Sequence, residues 1–265
     1  MEKYKGYMIC TDLDGTFTQP SPSGGDEVFV SRENCEAVEK FKAGGGIFTF
    51  STGRRPWYIK ENIFPFVTPN APMITVNGAS IYDHVQDKIL RSVFLEKSVL
   101  HAPIEAYKIF GDVIKEVYAV AETEEFCISY AEENFEEKFR KIISLHEDWY
   151  KFVFRCVDKE STLRFQKFLR SKYSDNCDLP RSWPTGQEIL HINATKCAMA
   201  LELKKMLPDV HTLICVGDFE NDISMLKTAD RGYAVSNAID EVRQAADFIT
   251  VANTEGAIAK IISEI

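Results

Sequence analysis

Asp12 and Asp14 stand two residues apart at the end of the apolar run "MICTDLDGTF", with Gly15 and Thr16 directly behind them. Two other apolar runs end in a similar way. "GIFTFSTGR" closes on Ser51, Thr52 and Gly53, and "LICVGDFEND" closes on Asp218, Asn221 and Asp222. Lys196 opens the helix-like "ATKCAMALELKKML". Carboxylates that converge without a cation repel and push each other's pKa upward. A hard divalent ion relieves this, and Mg²⁺ prefers one or two carboxylates together with waters and substrate oxygens. Phosphate is then the natural further ligand, with Lys196 and the Thr52 hydroxyl placed to hold its other oxygens. A carboxylate can attack phosphorus to give an aspartyl-phosphate. A second carboxyl two residues on can protonate the leaving oxygen and later take a proton from water. These residue types therefore point to phosphoryl transfer.

Each piece also has a purely structural use. DxDG is a common turn composition, an STG tripeptide suits a plain strand-to-helix turn, and a lone lysine is commonly a solvated helix residue. "GDFEND" would cap the helix behind it, with Asp222 favourable near the positive end. Order and placement favour the chemical reading, because every piece falls at a strand tip or a helix start.

The elements that must position these residues follow from hydrophobic pattern. "GYMICTD", "GIFTF", "PMITV", "LICVG", "GYAVS" and "ADFITV" read as buried strands, with a turn signal at Asn77-Gly78 directly behind "PMITV". They alternate with helix-period segments: "SRENCEAVEKFKAGGG" with Ser31 as cap, "PWYIKENIF", "ATKCAMALELKKML", "NDISMLKTA" and a closing "TEGAIAKIISEI" that Thr254 would cap. Apolar strands alternating with helices predict an α/β fold, a mostly parallel sheet covered by helices on both faces. In such sheets ligands sit beyond the carboxyl ends of the strands. The middle of the chain has a different texture, richer in Glu, Lys and aromatics. Its strand-like pieces "KILRSVFL", "EEFCISYA" and "YKFVFRCV" alternate, and "KESTLRFQKFLRSKY" is amphipathic. We expect a core domain from 1–82 and 191–265, with an inserted α+β domain at 83–190. The aromatics Phe135, Phe139, Trp149, Tyr150 and Phe152 are expected to be its packing.

Composition bounds the rest. The 265 residues are 45% hydrophobic and 27% charged, ordinary for a globular chain. A formal net charge of −9 argues against nucleic acid or an anionic membrane as partner. The 7 cysteines are scattered singly with no CxxC spacing, which points to a reducing, cytoplasmic setting rather than a disulfide framework or zinc knuckle. The five histidines, His84, His101, His146, His191 and His211, have no metal-ligand spacing. The N-terminus is too polar for a signal peptide, and no run approaches a membrane span.

The ordered set "DLDGT", "STGR", Lys196 in "NATKCAMAL" and "GDFENDISML" resembles the four motifs of the haloacid dehalogenase (HAD) superfamily. "APMITVNGASIYD" and "VANTEGAIAKII" further resemble its Cof-type, sugar-phosphatase-like branch, which carries an α/β cap between the second and third motifs. The resemblance implies a Rossmann-like core with a cap and Mg²⁺-dependent hydrolysis of phosphate monoesters. It implies Asp12 as nucleophile and, with Asp218, as metal ligand. Asp14 would be the general acid/base and give its backbone carbonyl to the metal. Thr52, Lys196, the Gly53 N–H and Asn221 would hold the phosphoryl group, and Asp222 would orient Lys196 or a metal-bound water. Ser51 is adjacent to the motif position. Members that cleave carbon–halogen bonds lack the second aspartate and transport ATPases carry Thr there, so Asp14 resembles the phosphatase and phosphomutase members. The segment 17–31 is longer and richer in Pro and Gly than the usual connection and is expected to form a flap. A small phosphorylated metabolite, a sugar phosphate foremost, is the expected substrate. The alternatives are a phosphomutase of the same fold, with Arg155, Arg164, Arg170 and Arg181 as a second phosphate site, and a catalytically idle phosphate-ligand-binding regulator.

Overall fold

The computed structural model describes residues 2–20 and 28–265. The flap expected of 17–31 rests largely on residues 21–27, which lie outside the described residues. In chain order the first elements are β1 (Tyr7–Thr11), α1 (Arg32–Ala43), β2 (Ile47–Phe50), α2 (Pro56–Asn62), β3 (Met73–Thr75), β4 (Ser80–Asp83) and β5 (Lys88–Ser92). There follow α3 (Ala102–Phe110), β6 (Ile114–Val120), β7 (Glu125–Ser129), α4 (Phe135–Ile143), β8 (Lys151–Cys156) and α5 (Lys159–Tyr173). Then come β9 (Cys177–Asp178), β10 (Arg181–Trp183), β11 (Gly186–His191), α6 (Lys196–Met206) and β12 (Thr212–Gly217). The chain closes with α7 (Ile223–Thr228), β13 (Arg231–Ala234), α8 (Asp240–Ala245), β14 (Phe248–Ile249) and α9 (Ala257–Ser263). It divides into two compact units, Met1–Arg91 with Lys196–Ile265, and Ser92–Thr195. No helix among the described residues is long and apolar enough to cross a membrane.

The first unit is built on a five-stranded sheet in the order β14-β13-β12-β1-β2. Every pairing in it is parallel. Met8, Ile9 and Cys10 of β1 and Ile214, Cys215 and Val216 of β12 are fully buried, as strands covered on both faces must be. Helix α1 starts where expected, with the Ser31 hydroxyl accepting from Asn34 N at 3.2 Å. Two local expectations shift. "PMITV" gives the expected strand, β3, but not as a member of the five-stranded sheet, which it meets through a parallel bridge from Ile74 to Ser51: β3 and β4 pair antiparallel and, with β5, form a three-stranded sheet. Val76 and Asn77 turn the chain between β3 and β4, both in the left-handed region at φ 54° and 57°. Thr254 does not cap the last helix. It lies in a short 3₁₀ turn, and Gly256, at φ 72°, begins α9 instead.

The second unit is an antiparallel sheet in the order β10-β11-β8-β6-β7, with β9 beside β11. Strand alternation sends Phe152, Phe154 and Cys156 of β8 into one core with Phe135, Phe139, Trp149 and Phe165. The aromatics of the middle block are thus its packing, and Tyr150 is buried as well. Phe165 of α5 packs edge-on against Phe154 at 4.9 Å, which puts α5 on the Phe154 face of the sheet. Arg155 alternates to the opposite face and donates to Glu116 at 3.1 Å, whereas Arg164 and Arg170 lie exposed on α5. Arg155 therefore lies on the opposite face of the sheet from Arg164 and Arg170, while Arg181 is buried in β10.

Candidate active site

The parallel register brings three strand ends together. Thr11 of β1 faces Phe50 of β2 and Val216 of β12. The pairing continues one step past the strands: Ser51 N donates to Thr11 O at 2.8 Å, and Asp12 N to Val216 O at 2.9 Å. Asp12 therefore leaves the sheet between Ser51-Thr52 on one side and Gly217-Asp218 on the other. A tight coil at Leu13–Phe17 then reverses the chain, with Gly15 in the left-handed region at φ 83°. Phe17 anchors the far end of the coil, fully buried, with its ring 5.3 Å from Phe50 and 5.6 Å from Phe48.

Lys196, the first residue of α6, is buried. Its Nζ donates to Asp12 Oδ1 at 2.5 Å and to Asp222 Oδ1 at 2.7 Å. Asp222 spends its other oxygen on the backbone N–H groups of Asp218 and Phe219, at 3.0 and 3.2 Å. Asp218 Oδ1 accepts from the Thr16 hydroxyl at 2.6 Å. Asp12, Asp218 and Asp222 each offer an oxygen within 4.8 Å of the others. Three carboxylates against one ammonium leave an excess of two negative charges. Titration reflects the crowding. Burial raises the Asp12 carboxyl well above its usual range, Lys196 opposes this, and Asp222 and Asp218 add to it. Burial and then the Asp222 charge push Asp218 up to about 7. For Lys196, burial alone would lower the ammonium pKa, but Asp12 and Asp222 outweigh it and raise it. An all-oxygen set with unspent negative charge suits a hard divalent cation. Asp12 and Asp218 fit it as direct ligands. Asp222 stands behind them, because both its oxygens already serve Lys196 and the backbone.

Asp14 separates from this cluster. Arg54 grips its carboxylate bidentately, Nε to Oδ2 at 2.9 Å and Nη2 to Oδ1 at 2.8 Å. The guanidinium itself lies 4.3 Å from the centre of the Tyr58 ring. Asp14 also borders a cavity of about 550 Å³ lined in part by Gly15, Gln19, Asn237 and Thr254, of the size that small-molecule sites occupy. Thr52 is fully buried, and its hydroxyl accepts from Arg54 N at 3.1 Å. Ser51 is equally buried, and its hydroxyl has no hydrogen-bond partner among the described residues. Asn221 Nδ2 donates to Asn77 Oδ1 at 3.1 Å, and Asn77 N donates to Thr52 O at 2.8 Å. A side chain on Gly53 would begin 3.0 Å from that same Asn77 oxygen. Asn77 thus joins the second motif to the fourth, and sequence reading treated it only as a turn residue. Thr16 and Arg54 stand inside the first and second motifs, but their types and spacing gave no sign of their contacts with Asp218 and Asp14.

The chain belongs to the haloacid dehalogenase-like hydrolase family, whose model matches residues 9–262. Two curated relatives align over nearly the whole length. The 5-amino-6-(5-phospho-D-ribitylamino)uracil phosphatase YcsE of Bacillus subtilis is 27% identical, covering 96% of this chain and 94% of its own. The pyridoxal phosphate phosphatase YbhA of Escherichia coli is 24% identical, covering 96% and 97%. Among solved structures, the HAD subclass IIB sugar phosphatase BT4131 superposes with a TM-score of 0.75 at 19% identity, covering 97% of each chain. That last likeness is one of fold.

Proposed function

We propose that the protein is a Mg²⁺-dependent phosphatase that hydrolyses a small phosphorylated metabolite, a sugar phosphate foremost, through an aspartyl-phosphate on Asp12. The observation that carries this reading is the Asp12–Lys196–Asp222 chain beside Asp218: a buried carboxylate held in place by an ammonium, facing a second carboxylate across a gap suited to a hard cation. The names of the relatives, a ribitylaminouracil phosphate phosphatase and a pyridoxal phosphate phosphatase, support a small phosphorylated substrate.

When bound, Mg²⁺ would neutralise the carboxylates and the phosphate oxygens and so let two anions meet. Lys196 fixes the Asp12 carboxylate on the side of attack and offers a positive charge to the phosphoryl oxygens. Thr52 and the Gly53 N–H, at the end of β2, hold further oxygens, and Asn221 reaches the same group. The Asp12 carboxylate forms a bond to phosphorus as the ester P–O bond breaks, and the departing oxygen takes the proton of Asp14. Water then attacks the aspartyl-phosphate, its proton goes to Asp14, and phosphate leaves with the Asp12 carboxylate restored. Asp14 suits proton transfer because its side chain is half exposed on the cavity side, unlike the enclosed Asp12. Asp222 acts through Lys196.

Hydrolysis of p-nitrophenyl phosphate with Mg²⁺, followed by a screen of phosphorylated metabolites, tests the reading. Turnover should vanish in Asp12→Asn. Activity that persists in that variant removes Asp12 as nucleophile.

A further inference from the structure

Two asparagines outside the four motifs grip the coil that carries Asp14. Asn237 Nδ2 donates to the Gly15 carbonyl at 2.9 Å, and its Oδ1 accepts from Asn253 N at 2.9 Å. Asn253, buried in turn, donates from its own Nδ2 to the Thr18 carbonyl at 2.8 Å. The same loop reaches the fourth motif, where Ile239 N donates to Asp218 O at 3.1 Å. The Gly15–Thr16 peptide is therefore held on one side by Asn237. On the other side the Thr16 hydroxyl occupies Asp218 Oδ1, and the Gly15 α-carbon faces Asp218 Oδ2 so closely that a Cβ there would lie 2.6 Å from it. A twist of this one peptide would pull Thr16 away from Oδ1 or press Gly15 against Oδ2. Asparagine suits the position because one planar group must donate to one backbone segment and accept from another. Aspartate would supply only acceptors, and leucine neither.

We propose that Asn237 is a positioning residue for the metal site. It holds the Gly15–Thr16 peptide so that Thr16 takes one oxygen of Asp218 and the other stays open to the cation. The inference rests on the reading of Asp12 and Asp218 as metal ligands. Groups that orient metal ligands from behind typically cost about ten- to a hundredfold in affinity when removed.

The test is Mn²⁺ binding to the purified full-length protein, read from the free-ion signal in electron paramagnetic resonance without substrate. Asn237→Leu removes both arms of the clamp, Asn237→Asp keeps only the acceptor for Asn253, and Asn253→Asp loosens only the Thr18 arm. Asp218→Asn is the control. We expect about tenfold weaker Mn²⁺ binding in both Asn237 variants, a smaller loss in Asn253→Asp, and none left in the control. Thermal melts confirm that each variant is folded at the assay temperature, and Asn237→Asp serves if the leucine variant does not fold. Folded Asn237 variants that bind Mn²⁺ like the wild type, beside a control that has lost it, overturn this inference alone. A control that binds as tightly as the wild type overturns the metal reading and this inference with it.

Discussion

Replacing Asp218 by Asn should make the metal-free protein more stable while removing its hold on a divalent ion. Burial, then the Asp222 charge, pushes the folded Asp218 carboxyl up to about 7, against an ordinary 3.8. About three pKa units at about 1.36 kcal/mol each give a penalty of about 4 kcal/mol for holding this group ionised. The folded state binds the proton more tightly than the unfolded state. Stability of the metal-free protein therefore falls as pH rises from about 4 to 7 and carries the full penalty above that. Asparagine has the same shape, keeps an oxygen for the Thr16 hydroxyl and carries no charge. In EDTA at pH 8, Asp218→Asn should therefore be more stable by up to about 4 kcal/mol, a rise in Tm of about 8–16 °C. At pH 5 the wild type keeps the proton on Asp218, so the advantage should shrink to less than half. Added Mg²⁺ should reverse the order, because only the wild type gains from binding. Thermal melts of both proteins at pH 5 and 8, each in EDTA and in Mg²⁺, read all of this. A variant no more stable than the wild type in EDTA at pH 8, or equally favoured at both pH values, refutes the reasoning.

Lys196→Met should act in the opposite direction. It leaves Asp12 and Asp222 buried without their cation, a change that costs about 3–5 kcal/mol. The loss should be largest at pH 8 and smaller at pH 5, where a proton on Asp12 takes the place of the ammonium, and melts in EDTA check it. Asp14→Asn should slow hydrolysis of alkyl phosphates by about 10²–10⁴-fold, since a poor leaving group needs the proton. With p-nitrophenyl phosphate the first step needs no acid, so a stopped-flow burst of nitrophenolate stoichiometric with enzyme should precede slow turnover.

How much of this was legible in the sequence depended on the range of the interactions. Helix α5 is "KESTLRFQKFLRSKY" residue for residue, and Ser31 caps α1, because amphipathic period and capping are local. The inner parallel strands were plain because burial on both faces makes them apolar throughout, whereas the edge strand β14, expected to be buried in "ADFITV", leaves Phe248 and Ile249 exposed. Strand β6 ("IKEVYAV") escaped notice because the open face of an antiparallel sheet tolerates Lys and Glu. Strand β11 ("GQEILH") did so because its buried Gln187 and Glu188, satisfied by the Leu179 carbonyl and by Lys151, lower the apolar signal. The chain turn at Asn77-Gly78 was visible, but nothing local announces that Asn77 meets Asn221, 144 residues on. Asn237 is hidden in the same way, since its partner carbonyl at Gly15 lies 222 residues back. The motif residues stood out for a different reason: charged and hydroxyl side chains at the tips of apolar strands are costly to place there without a use.

Two aspartates two residues apart meet opposite surroundings, and that contrast supports the separate parts proposed for them. Asp12 continues the line of β1 into the interior, where its side chain is 9% exposed and faces Lys196. There it is costly to ionise without a cation and is shielded from water, as a nucleophile toward phosphorus should be. The coil at Leu13–Phe17 then turns the chain outward, leaving the Asp14 side chain 51% exposed and paired with Arg54. A group in that position can exchange protons with a leaving group or with water, which the enclosed Asp12 cannot do. Environment thus suits chemically identical groups to the different work proposed for them. The device that separates them is backbone: a left-handed Gly15 backed by Asp218 and gripped by Asn237. A net charge of −9 poses no obstacle to an anionic substrate on this view, because the field that matters is local. At the tips of β1, β2 and β12 that field includes the Lys196 ammonium between Asp12 and Asp222 and, on the proposed reading, the cation that Asp12 and Asp218 would hold.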